Sequence, residues 1–63
     1  LGQQAAEIVR EFRESNGISQ EQLAAVLKTT QSYLSGIENG GSISKRIAKK
    51  LAAITEKPLE LFV

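Results

Sequence analysis

The sequence predicts an all-α fold, a compact five-helix bundle built around a helix-turn-helix unit over about residues 19–40. Three observations predict it. Apolar residues recur at intervals of three and four along most of the chain, the period of helices that bury one face. Residues with helix-start and helix-stop chemistry interrupt that pattern at Ser19, Thr30, Gly40-Gly41 and Pro58. A chain of 63 residues with no cysteine and no histidine also lacks disulfides and the usual zinc ligands, so helix packing around one small core must supply its stability.

The first helix is expected from about Gln3 to Ser15, with Ala5, Ile8, Val9 and Phe12 on its buried face. Asn16-Gly17 ends it, since both residues tolerate the left-handed conformation that closes a helix, and Ile18 follows as a plug of the core. Glu7, Glu11 and Glu14 make its outer face acidic; this is a solvated face with no partner assigned. The second helix starts at Ser19, whose hydroxyl can cap the amide of Gln22 while the Gln22 side chain reaches back to Ser19. Leu23, Ala24 and Leu27 fall on one side of it.

A tight turn at Lys28-Thr29 leads to Thr30, a residue suited to cap the third helix, expected over residues 30–38. Leu34 and Ile37 lie on its buried side, leaving Gln31, Ser32, Ser35 and Gly36 on an uncharged surface rich in hydrogen-bonding groups. Gly40-Gly41 breaks this helix, and Ser42-Ile43-Ser44 leads into a fourth from about Ser44 to Thr55, with Ile47, Ala48, Leu51, Ala52 and Ile54 inward. Lys45, Arg46, Lys49 and Lys50 stand on its other side. Pro58 stops continuation and suits the first turn of a short fifth helix, Leu59 to Phe62. Leu59, Leu61, Phe62 and Val63 are more apolar surface than one turn buries easily, and are a candidate surface for a protein partner.

Net charge is +1, too small for composition alone to indicate a polyanion partner, but the charges are uneven. Residues 1–27 carry two positive and four negative charges, residues 28–63 six positive and three negative, so attraction to a polyanion would come from the second half. No apolar run approaches the roughly 20 residues of a membrane span, and no signal peptide opens the chain. With no histidine, cysteine or aspartate, and too little chain to enclose a pocket, no enzyme, metal or cofactor is expected. The first residue is Leu rather than Met, so a fragment or processed chain is expected, with a sensor or dimerisation domain beyond its end.

The run SQEQLA, a short turn, TTQS and then IENG, in register over the 22 residues Ser19–Gly40, resembles the lambdoid phage repressor and Cro family of DNA-binding domains, also called the XRE family. Ala5 to Phe62 follows that family's five-helix plan more loosely. Lys28 departs from it, because the family usually has glycine in the turn to supply a positive φ; a lysine costs on the order of 1 kcal/mol if the conformation is kept, or else the turn changes shape. Thr29 is a smaller, more polar plug than the usual Val.

The resemblance implies sequence-specific binding to double-stranded DNA by a cytoplasmic, nucleoid-associated transcriptional regulator, a repressor. Its third helix enters the major groove, its second crosses the backbone, and a homodimer reads a palindromic operator with half-sites about one helical turn apart. By that resemblance Gln31 reads adenine through its terminal amide, with Ser32 and Gly36 beside it facing bases. Tyr33 is grouped with them, with two readings open: it leans on DNA, at the backbone or a thymine methyl, or it half-buries against the first helix. Backbone contacts fall to Gln20, which bonds a phosphate and buttresses the third-helix glutamine, to Asn39 and the amides after it, and to Arg46. Lys45 and Lys28 are further candidates by position. Ala24 sits where two helices cross too closely for a larger side chain, and Arg13 and Glu38 form an ion pair between the first helix and the IENG run. An alternative function is an antitoxin-like or adaptor module that uses the same fold mainly to bind a protein.

Overall fold

The apolar stripes close on one another in the computed structural model, which describes residues 2–63 and the side chains from residue 4 onward. Four α-helices follow in order: α1 Gly2–Ser15, α2 Gln20–Leu27, α3 Gln31–Glu38 and α4 Lys45–Thr55. The expected fifth helix is corrected to a single 3-10 turn, Leu59–Leu61. Its two bonds run from Leu61 N to the Pro58 carbonyl and from Phe62 N to the Leu59 carbonyl. A single turn forms too few hydrogen bonds to offset the cost of nucleating an α-helix, and the segment is held instead by Phe62, which is 3% exposed and belongs to the core.

Val9, Leu23, Leu27, Leu34, Ile37, Ile47 and Leu51 are the fully buried centre, completed by Ala5, Ala24, Ala48 and Phe62. α1 packs on α3, α2 on both α3 and α4, and α4 also on the closing turn. The small side chain of Ala24, 2% exposed, lies within this packing.

The starts of α2 and α3 carry their expected caps, and α4 carries one as well. Ser19 Oγ accepts from Gln22 N at 3.1 Å while Ser19 N donates to Gln22 Oε1 at 2.8 Å. Thr30 Oγ1 accepts from Tyr33 N, and Ser44 Oγ from Ile47 N. Such caps satisfy amides that the first turn leaves without partners.

The turn after α2 keeps the left-handed conformation: Lys28 has φ 58° and ψ 48°. Thr29 N bonds the Ala24 carbonyl and Lys28 N the Ala25 carbonyl, the paired closure that demands a left-handed residue at this point. Of the two possibilities for Lys28, strain is therefore the one realised. The Lys50 ammonium donates to the Leu27 carbonyl at 3.4 Å and sets a positive charge at the negative end of α2. Gly41 is required by a close approach: a Cβ there would stand 2.8 Å from the Gly36 carbonyl oxygen, which already accepts from Gly41 N.

Candidate nucleic-acid interface

The register that buries Leu34 and Ile37 on α3 also turns Glu38, the last residue of that helix, into the interior, where its side chain is 3% exposed. Burying a carboxylate without partners would cost several kcal/mol, and it is not left without them. Arg13 on α1 meets it as a fork, Nε to Oε2 at 2.9 Å and Nη2 to Oε1 at 3.1 Å. Arg10, one turn earlier on α1, lies with Nε 3.7 Å from Oε1 and donates through Nη2 to the Glu38 carbonyl at 2.9 Å. Burial pushes the Glu38 carboxyl up, but the hydrogen bonds from Arg13 and Gln20 and the charges of Arg13 and Arg10 outweigh it and hold the group below its ordinary value. The hydrogen bond to Glu38 raises Arg13 in turn.

From this carboxylate a chain of hydrogen bonds runs to the surface. Gln20 Nε2 donates to Glu38 Oε1 at 3.2 Å, and Gln20 Oε1 accepts from Gln31 Nε2 at 2.6 Å. The orientation of both amides follows from the charge at the buried end. A carboxylate only accepts, so Gln20 must turn its NH2 toward Glu38 and present its oxygen to Gln31. Gln31 must then give that oxygen one N–H. It is left, at the exposed first residue of α3, with a free carbonyl oxygen and one free N–H side by side. One acceptor beside one donor matches the major-groove edge of adenine, which offers the N6 amino group and the N7 lone pair.

Ser32 and Gly36 are exposed on the same helix, and a Cβ at Gly36 would meet nothing within 4 Å, so no protein contact requires glycine there. Tyr33 follows neither reading to the letter. Its ring is half-buried against the core, and its hydroxyl reaches the start of α4, accepting from Ser44 N at 2.8 Å. The phenol oxygen is thus engaged within the fold, while its own O–H remains a donor.

The backbone candidates divide. Lys28, Lys45 and Arg46 are exposed, the last two in the first turn of α4. Asn39 is exposed but its Nδ2 donates to the Ser35 carbonyl at 2.9 Å. The amides after it are engaged as well, Gly40 N with the Ile37 carbonyl and Gly41 N with the Gly36 carbonyl. The carbonyls at the end of α3 need these donors, so a phosphate grip by the two glycine amides would have to open the helix terminus. Both functional atoms of the Gln20 side chain are bonded within the protein, leaving its second amide hydrogen and the backbone amides at the start of α2 for an anion. Glu21 lines the same shallow depression as Arg13, Ser19, Gln20 and Gln31 and sets a carboxylate beside them.

The candidate partner surface at the chain's end is corrected in part. Phe62 is buried and Leu61 half-buried, which leaves Leu59, 38% exposed, and Val63, 61% exposed. Arg10 was not singled out by sequence, and Lys50 was placed only on the basic side of the fourth helix. Arg10 had a signal: it stands three residues before Arg13, hence on the same face of α1. The contact of Lys50 with the turn had none, because it depends on how α4 crosses α2. Among the described residues no cluster of acidic, histidine or cysteine side chains could hold a metal, and no helix is long and apolar enough to cross a membrane.

A protein-family model described as helix-turn-helix matches residues 9–62. No curated protein and no solved structure matches the chain.

Proposed function

We propose, from the premise that this chain belongs to the helix-turn-helix family of the phage repressor and Cro type, that it is a single DNA-binding domain recognising a specific double-stranded site to regulate transcription, as a repressor. The observation that carries this reading is the relay from Glu38 through Gln20 to Gln31, which holds the Gln31 amide in one orientation at the exposed start of α3. With α3 in the major groove, Gln31 Oε1 accepts from adenine N6 and its remaining N–H donates to N7. Lys45 and Arg46 neutralise phosphates beside the groove, with Lys28 at its edge, and the free amides at the start of α2 take another. Two copies related by a two-fold axis read a palindromic operator, and repression follows from occupying it.

Selection from random duplexes, followed by binding to every single-base variant of the enriched site, tests this. Gln31→Ala should weaken the preferred site by about 1–3 kcal/mol and relax discrimination at one base pair per half-site. Gln20→Ala should blur the same base pair, because the freed Gln31 amide can rotate. The double variant should bind more tightly than the summed losses imply, by about 0.5 kcal/mol or more. Additive losses, or unchanged discrimination in Gln31→Ala, would remove the relay from recognition. Salt-sensitive binding without any site preference would instead favour the adaptor reading, for which exposed Leu59 and Val63 are the remaining surface.

A further inference from the structure

The groups assigned to bases and those assigned to phosphates stand on different elements. Gln31 is on α3, which packs chiefly on α1 and α2; Lys45 and Arg46 are on α4, which packs chiefly on α2 and the closing turn. Between the two helices lie residues 39–44, outside regular structure. The first half of this stretch is fastened to the end of α3 by the Gly40 and Gly41 amides, and its last residue, Ser44, is the cap of α4. One side chain spans the gap. Tyr33, in the first turn of α3, accepts through its hydroxyl from Ser44 N at 2.8 Å, while its own amide is tied to Thr30 Oγ1 at 3.1 Å.

We propose that Tyr33 is a positioning residue, a strut that sets where Lys45 and Arg46 stand relative to Gln31. A tyrosine suits the task because its ring has only two side-chain torsions, so a phenol anchored at both ends holds a nearly constant length. The Ser44 amide suits it because it precedes the first turn of α4. Displacing that amide displaces the two cations that immediately follow. Ring burial against the core holds one end and the hydrogen bond holds the other. The inference rests on the reading of α3 and α4 as base and phosphate contacts, and it predicts that backbone grip depends on a residue that touches neither base nor phosphate.

Tyr33→Phe removes the acceptor and keeps the ring. The Ser44 amide should exchange with solvent about ten-fold faster in the variant, with the amides of Leu34 and Ile37 unchanged, a readout that needs no DNA. All duplexes should bind about three- to ten-fold more weakly, with base discrimination retained and the salt dependence reduced toward that of Arg46→Ala. Adding Tyr33→Phe to the Lys45→Ala, Arg46→Ala double variant should cost less than about two-fold more, since the strut acts through the two cations already lost. Unchanged Ser44 exchange would overturn the strut. So would a loss confined to one base pair, which would make the phenol a base reader, or losses that multiply with that double variant. If the wild type binds duplexes in a salt-dependent way without site preference, the base-reading proposal fails while these comparisons still decide the strut; if it binds no duplex, both fail.

Discussion

Replacing Arg13 by Met would leave the Glu38 carboxylate in the interior without its main partner, and two consequences can be worked out. The first is a loss of stability. Breaking a buried pair from one side costs about 3–5 kcal/mol. Here the Arg13 side chain is 18% exposed and the Glu38 side chain 3%, while Arg10 at 3.7 Å and Gln20 at 3.2 Å remain to screen the charge. A loss of about 2–4 kcal/mol is therefore expected. At about 0.05–0.15 kcal/mol per residue, a chain of 63 residues has roughly 3–9 kcal/mol in total, so the variant should be marginal. The second consequence concerns pH. In the wild type the folded-state pKa of Glu38 lies below its unfolded value, so its stabilisation is fully present above the ordinary value of about 4.3 and is lost as pH falls through the depressed one. Without Arg13, burial is opposed only by Gln20 and Arg10, and the folded pKa rises from its wild-type position. The stabilisation lost on acidification is then smaller in the variant, so its deficit relative to wild type should narrow as pH falls from neutrality into the acidic range. Urea titrations followed by circular dichroism, repeated from neutral to acidic pH, would measure both effects. A midpoint equal to wild type, or a difference between the two proteins that does not change with pH, would refute the burial of this pair and the electrostatics drawn from it.

Lys45→Ala and Arg46→Ala should each lower the magnitude of the slope of log K against log salt by about 0.9 and weaken all duplexes alike, with Lys57→Ala as the unaffected control; a loss limited to one sequence would contradict phosphate contact. Lys28→Gly should raise stability by about 1 kcal/mol in thermal unfolding, because glycine takes φ 58° without strain, and should weaken DNA binding at low salt if the side chain reaches a phosphate. Gly41→Ala should destabilise by about 1–3 kcal/mol, since its Cβ would stand 2.8 Å from a backbone oxygen that cannot move without opening the end of α3; an unchanged melting midpoint would refute that close approach.

Much of this molecule is set by chemistry that acts within a few residues. The caps at Ser19, Thr30 and Ser44 and the apolar intervals on α1 to α4 are local consequences of side-chain type, and sequence alone determined that four segments are helical, where they begin and which faces they bury. The same reasoning overextended at the end of the chain. Periodicity cannot tell a fifth helix from a single turn over a stretch as short as residues 59–62, and it was the burial of Phe62 in the core that decided the matter. Lys28 shows the limit from another side, since sequence posed a choice between strain and a changed turn, and only the packing of α2 against α3 and α4 determined that strain is kept. The site was readable as a set of residues, chiefly through the resemblance of Ser19–Gly40 to a known family, but not as an arrangement. Residues 13, 20, 31 and 38 come from three helices, and the direction in which each amide points is fixed only where Glu38 is buried beside two arginines. Tertiary structure alone decided that, because a hydrogen bond between distant residues has no counterpart in local sequence: its donor, acceptor and polarity are chosen by which groups the fold takes out of water together.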